Sequence, residues 1–351
     1  MTILINISVI TKNHRGMGVF TKHIIKELIK NNKYIFVSGN KIDTEIFNII
    51  KKSECDYIQI NSPLPIFEQV IIPYLIYKYK PNMCWFPSNT FPIIKMKNTK
   101  YIVTIHDLIF LRKNIEISSL YQKIGQLYRK YNIFLGIRKI DIITSVSFES
   151  LNSIYKLFTI NNKINNNHIL YNNFSSYDLL NKVEKQNQKY IYTISGTAPH
   201  KNLDFLIKAF LKFSHIYKEY NLIISGATNS KYANRYKNIV FTPFISEEEK
   251  ISLIQNAELF VFPSLIEGFG IPLIESLYYN SNVLVSDIEI FKEIGKNYVT
   301  YFNPYNYDFL IEYFQNQKNC IDHNKARNYI INTFNTKKTT AKLEDIFNGC
   351  K

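Results

Sequence analysis

The chain has 351 residues, 46% hydrophobic and 20% charged, with a formal net charge of +15. That length exceeds what one ordinary core serves, so two domains are expected, and the composition excludes a disordered chain. Four cysteines, Cys55, Cys84, Cys320 and Cys350, lie far apart with no CxxC pair, which excludes a zinc-ligand pattern or a dense disulfide framework and fits a reducing cytosol.

The opening run, MTILINISVI, reaches Lys12 without a basic leader or a small-residue cleavage site, so it reads as a strand and not as a signal peptide. No stretch approaches the roughly 18–20 apolar residues of a transmembrane helix. A soluble or peripheral protein in the cytoplasm is the expectation. Residues 1–180 hold 23 Lys and Arg against 11 Asp and Glu, whereas 181–351 hold 20 against 17. The excess is therefore +12 in the first half and +3 in the second, a one-sided field suited to an anionic membrane surface, a lipid-linked pyrophosphate or nucleic acid. A solvated surface in a Lys-rich proteome is the alternative.

Short β-branched runs then alternate with longer amphipathic ones, the rhythm of βα units around a parallel sheet. Strands are expected at Ile3–Ile10, Tyr34–Ser38, Tyr57–Ile60, Met83–Phe86, Tyr101–Ile105 and Ile140–Val146, with helices at Val19–Asn31 and Ser118–Arg138. Between Asn161 and Lys189 the chain turns polar and Asn-rich, marking a linker at 176–188. A second series follows. It has strands at Tyr190–Ile194, Asn221–Ser225, Ile239–Phe241, Leu259–Pro263 and Val283–Ser286, and helices at Leu203–His215, Glu247–Asn256 and Pro272–Tyr279. The division is thus an N-terminal Rossmann-like domain over 1–175, a second over 189–325, and a final segment over 326–351, part of a helix expected from Asn324 to Phe347 that packs back on the first domain.

Ligands of parallel sheets bind beyond the carboxyl ends of the strands, where loops enter helices. After LFVFP comes SLIEGFGIPLIES, in which Gly268 and Gly270 allow close backbone approach and Pro272 suits a first helical position. Freed N–H groups and the positive end of the helix would then receive a diphosphate. Glu267 precedes this helix and Glu275 is expected within its first turn, so the two carboxylates can address different parts of one ligand, one of them accepting from ribose hydroxyls. An ordinary strand-to-helix turn with a Glu complementing the helix dipole is the alternative.

FPSLIEGFGIPLIES resembles the E-x7-E signature of family-four retaining glycosyltransferases, which have the GT-B fold of two Rossmann-like domains with parallel sheets facing across a cleft. The resemblance implies that Glu275 binds the donor ribose while Glu267 and Phe269, with the two glycines, lie against the donor in the catalytic centre. YIYTISGTAPHKNLDFLIKAF is similar to the segment that opens the family's C-terminal domain, which makes Gly196 its glycine turn and Lys201 the lysine that neutralises the departing diphosphate. His200 stands where Arg is common, so the second positive charge would depend on protonation. FISEEE, with Phe244 and Ile245, falls beside the nucleobase, and Pro243 before it replaces a common Gly; Asn280 and Asn282 depart likewise from a frequent Gly and Pro.

In the first half, Gly16 and Gly18 of NHRGMGVFTKHII resemble the family's glycine loop, although a lone GxG is weak. IVTIHDLIFLR resembles its His-Asp segment, which would put His106 by the transferred sugar, opposite Glu267, and Asp107 behind it, although a lone His after a strand is often structural. Ser147 and Ser150 in SVSFES resemble a Ser-x-x-Ser element on the acceptor side, or simply cap a helix.

The resemblance spans roughly residues 10–305. It implies metal-independent transfer of a hexose from a GDP- or UDP-linked donor, with a slight preference for mannose, to a glycan or lipid-linked acceptor of bacterial lipopolysaccharide, O-antigen or capsule, at the inner face of the cytoplasmic membrane. An epimerase or phosphorylase on the same fold is the rival reading. No DxD pair and no zinc-finger, RNP or KH signature occurs, so neither a metal nor nucleic acid is expected. Finally, SSLYQKIGQLYRKYNIFLGIRKI sets Lys123, Arg129, Lys130, Arg138 and Lys139 among apolar residues. Such a helix could lie on an anionic membrane, or be an ordinary packed helix with a charged outer face.

Overall fold

A computed structural model describes residues 1–12, 16–30, 33–112, 120–160, 168–172, 188–243, 245–279, 281–316 and 321–349. The polar segment expected as linker lies, but for residue 188, outside them. Two compact units result: the first runs to Ser175 and is rejoined by Phe334–Lys351, and the second spans Ser176–Thr333.

The first unit contains β1 (Ile3–Asn6), α1 (Gly16–Leu28), β2 (Ile35–Ser38), α2 (Thr44–Lys52) and β3 (Asp56–Gln59). A continuous helical run follows, from α3 (Leu64–Ile66) through a π turn (Phe67–Ile71) into α4 (Ile72–Tyr79). Then come β4 (Met83–Phe86), β5 (Lys100–Ile105), α5 (Leu120–Gly136), β6 (Ile142–Ser145) and α6 (Phe148–Phe158). All six strands are parallel, in the order β3-β2-β1-β4-β5-β6. Strands β1, β2 and β4 are buried along their whole length, which is why they read as near-continuous apolar runs. Strand β1 stops at Asn6, short of the expected Ile10, because the Asn6 side chain accepts from both the N–H and the hydroxyl of Ser8 and turns the chain.

The second unit repeats the plan. It contains β7 (Tyr190–Ile194), α7 (Leu203–Ser214), β8 (Asn221–Ser225), β9 (Ile239–Thr242), α8 (Glu247–Asn256), β10 (Leu259–Phe262), α9 (Ile271–Tyr278), β11 (Val283–Ser286), α10 (Glu289–Gly295), β12 (Thr300–Phe302), α11 (Tyr307–Asn316) and α12 (His323–Thr333). Its sheet runs β12-β11-β10-β7-β8-β9, again wholly parallel. In both sheets the winding reverses between two central neighbours, β1 and β4 in the first and β7 and β10 in the second. Those are the topological switch points.

The single helix expected from Asn324 to Phe347 is two helices. The Asn335 side chain accepts the N–H groups of Lys337 at 2.9 Å and Lys338 at 3.4 Å, capping α13 (Thr336–Gly349) and ending the run from α12. Helix α12 packs on α9 in the second unit, whereas α13 packs on α1 in the first, where Phe347 meets the edges of Tyr34 and buried Trp85.

The π turn has a local cause. Pro73 lacks an N–H and crowds the carbonyl four residues earlier, so the helix widens there, and Ile72 donates to Phe67. This turn carries Glu68, fully buried, which accepts from the hydroxyls of Thr90 at 2.7 Å and Tyr128 at 2.6 Å. Gln69 donates to the Phe91 carbonyl and to Tyr128, and Asn132 bonds the Phe91 backbone on both sides. Burial outweighs these hydroxyls and pushes the Glu68 carboxyl up to about 7. Because the folded state holds this proton more tightly than the unfolded state does, its stabilising effect is complete below about pH 4.5 and is lost as pH rises through 7. Glu68→Gln should remove a stability loss of about 3 kcal/mol across that window, seen as a shrinking gap between wild-type and variant melting curves as pH falls.

Candidate functional site

The described residues among those expected lie on the loops and helices that follow the strands, and each unit carries its own set. In the first, Gly16 begins α1 with φ +28, a conformation that strains any other residue, and a Cβ there would meet nothing within 4 Å. Gly18 is buried one turn into α1. The same helix presents Phe20, whose ring stands edge-on to His106 at 5.0 Å. His106 directly follows β5 and is 5% exposed. Its N–H donates to the Asn89 side chain at 2.7 Å, and its Nε2 lies 3.2 Å from the Pro87 carbonyl, both on the loop after β4. A carbonyl only accepts, so Nε2 carries the proton. Burial pulls the His106 pKa down to about 4, leaving a neutral imidazole at physiological pH. Asp107 accepts the N–H of Ile109 at 2.9 Å and so closes the following turn, while Ser147 caps α6 by accepting the N–H of Ser150 at 3.1 Å.

In the second unit the loops after β7 and β10 are tied together: the Leu265 N–H donates to the His200 carbonyl at 2.8 Å. A short 3-10 turn at Pro199–Lys201 ends in Asn202, left-handed at φ 53 and anchored to the Pro304 carbonyl. That turn directs Lys201 to Glu267, with Nζ 2.5 Å from the carboxylate and 5.9 Å from the Phe262 ring centre. Glu267 is the more enclosed partner, its side chain 10% exposed against 27% for Lys201. On the same two loops, Ser264 Oγ and His200 Nδ1 are buried without a hydrogen-bond partner among the described residues. Burial and the neighbouring lysine hold the His200 pKa below its usual value, so Lys201 is the standing positive charge of this turn. A Cβ at Gly196 would meet nothing within 4 Å, whereas Gly270 is left-handed at φ 103 and packs on Phe291 and Phe262. Phe269 is buried, Gly268 precedes it, and Ile245 is half-buried on the loop into α8; Phe244 and Asn280 lie outside the described residues.

Glu275 is not in the first turn of α9. It is the fifth helical residue, because the helix opens at Ile271 with Pro272 second. Its carboxylate accepts from Lys250 Nζ on α8 at 2.7 Å, and the same ammonium reaches Glu247 at 2.6 Å. Burial opposes the charge on Lys250, but the two carboxylates outweigh it and hold its pKa above the usual value. One ammonium thus serves two acids, and Glu275, the deeper one, is left with burial pushing its carboxyl up. Lys250 had no counterpart in the sequence reading, since nothing in EEEKISLIQN marks it. Gly226, left-handed at φ 100 with no room for a Cβ against the Ser195 carbonyl 2.8 Å away, was equally silent. An open hollow at the amino ends of β4 and β5, lined by Met1, Met83, Lys95, Lys97 and Lys100, contains none of the expected residues. Among the described residues no three His, Cys, Asp or Glu side chains stand together as a metal-holding group.

Residues 178–334 match the family model described as glycosyl transferases group 1. The match is confined to that segment, a little under half of the chain. The O-antigen chain mannosyltransferase RfbU of Salmonella typhimurium is 31% identical over 236 residues, 60% of this chain and 63% of the relative, so the match takes in less than two thirds of that protein's length. The serotype-specific mannosyltransferase WbdA of Escherichia coli is 27% identical over 129 residues, 33% of this chain and 16% of WbdA. Among solved structures, Anabaena HepE in complex with UDP and glucose aligns over 99% of this chain and all of its own, with TM-score 0.69 at 12% identity. A glycosyltransferase of Rickettsia africae aligns over 99% and 98% with TM-score 0.61 at 15% identity. These likenesses identify the two six-stranded units as the GT-B fold.

Removing Lys250 leaves Glu275 buried without its cation. Lys250→Met should cost about 3 kcal/mol of stability at pH 7, and the deficit should shrink as pH falls and Glu275 takes up a proton, measured by thermal melting across a pH series.

Proposed function

We propose that the protein is a retaining glycosyltransferase that moves a hexose from a nucleotide sugar to a glycan or lipid-linked acceptor of the O-antigen type. Mannose from a GDP donor is the favoured substrate. The observation that carries this reading is the Lys201–Glu267 pair at the switch point of the second unit, with the unpartnered Ser264 and His200 atoms on the same two loops. The ligand-free pair neutralises itself. An arriving diphosphate draws Lys201 away, which offsets the charge of the leaving group without a metal ion and turns Glu267 toward the sugar. The open space over Gly196 and Gly16 lets phosphate or sugar approach the backbone closely. Glu275, held by Lys250, accepts from ribose hydroxyls. His106, neutral and fixed by Asn89, acts through hydrogen bonding and not as a charge.

The donor preference is supported by the mannosyltransferase relatives RfbU and WbdA, and the nucleotide-sugar class by the UDP and glucose bound to HepE. The test is transfer from a panel of GDP-, UDP- and dTDP-sugars to lipid-linked glycan. Lys201→Ala should lower kcat by at least about 100-fold, whereas Glu275→Gln should chiefly raise KM for the donor. Full activity in both variants sinks the assignment, and sugar release that depends on inorganic phosphate instead indicates a phosphorylase.

A further inference from the structure

The imidazole of His106 takes its direction from the loop after β4. Asn89 accepts the His106 N–H at 2.7 Å, and the Pro87 carbonyl faces Nε2 at 3.2 Å. Wherever residues 87–91 lie, the ring follows. These residues belong to no helix or strand, and Ser88, Asn89, Thr90 and Phe91 are all buried. Side chains from elsewhere in the unit have to place them.

Those side chains come from the π turn and from α5. Thr90 Oγ1 donates to Glu68 at 2.7 Å, while Gln69 donates to the Phe91 carbonyl at 3.0 Å and accepts the Ile93 N–H at 2.9 Å. Successive residues of a regular helix point about 100° apart, yet Glu68 and Gln69 grip neighbouring residues of one loop, and both lie where the helix widens. Tyr128 on α5 closes the group, donating to the second Glu68 oxygen at 2.6 Å and accepting from Gln69 at 2.8 Å. Glu68 is fully buried, and among the described residues no cation forms an ion pair with it. An apolar side chain would occupy this core position at lower cost. What the carboxyl adds is a pair of oxygens that accept from two separate elements at once.

From this arrangement we infer that Glu68 and Gln69 are positioning residues: through Thr90 and Phe91 they hold the loop whose Asn89 and Pro87 aim the imidazole of His106. That His106 takes part in sugar transfer rests on the reading proposed above, whereas the aiming of its ring from the π turn does not.

The test joins imidazole NMR of the full chain to transfer kinetics, with the His106 signals assigned by their loss in His106→Gln. Wild type should show a neutral ring whose Nε2 proton exchanges slowly. Thr90→Val removes the hydroxyl that ties the loop to Glu68 and keeps the side-chain shape. It should shift the His106 signals, speed exchange of that proton and lower kcat by about 10- to 100-fold. KM for the nucleotide sugar should hold, because Lys201 and Glu267 take no part in these bonds. Gln69→Met should act alike, and Thr90→Ser, which returns the hydroxyl, should restore both readouts. Ile76→Val, in the core of α4 and outside this set of bonds, should lower the melting temperature and leave both readouts alone. Unshifted His106 signals in Thr90→Val and Gln69→Met overturn the inference, as does an unchanged kcat in a protein that does transfer sugar. An equal loss of kcat in Ile76→Val overturns it too. Shifted signals in a protein that transfers no sugar support the aiming of His106 and remove the transfer reading alone.

Discussion

A parallel sheet covered on both faces leaves only its strand ends open to water, and everything chemical in this protein follows from that constraint. Side chains along β1, β2, β4, β10 and β11 are spent on the core. Polar function is confined to the loops that leave the carboxyl ends, and the reversal of winding between two central strands spreads two such loops apart there. In the first unit helix α1, which follows β1, brings Phe20 to His106 after β5, and the loop after β4 brings Asn89 to the His106 backbone. In the second the loops after β7 and β10 bring Lys201 to Glu267. The same geometric solution appears twice with different side chains.

The electrostatics of the second unit are built from shared charges. Lys201 meets Glu267 while unpaired polar atoms remain on the same two loops, and Lys250 is divided between Glu247 and Glu275. A carboxylate that receives half a cation stays a stronger acceptor than one fully matched. Of the two acids that share Lys250, Glu275 is the deeper and bears the greater cost of burial.

Much of this was legible in the residues. Met83–Phe86, Tyr190–Ile194, Asn221–Ser225 and Val283–Ser286 are apolar or β-branched runs bounded by polar residues, and they form strands with those bounds. The turn around Gly270 was visible because glycine and proline act locally. What stayed hidden depends on residues distant in sequence. Lys250 meets Glu275 only because its long side chain reaches from α8 to a residue 25 positions on in α9, and Glu68 sits in an apolar run whose helix widens at Pro73 before its partners Thr90 and Tyr128 arrive from elsewhere. The helix break at Asn335 was concealed for the opposite reason: the apolar period continues through it while one side chain captures two backbone N–H groups.

The path of the last helix has a consequence for the order in which the molecule can be made. Helix α13 covers α1 and seats Phe347 against Trp85, so the core of the amino-terminal unit is finished by residues near position 347. During synthesis the sheet of the first unit is complete by Ser145, yet one side of its apolar surface stays uncovered until the whole second unit has been made and α13 follows it. Packing of the amino-terminal unit is therefore completed only after both sheets have been translated.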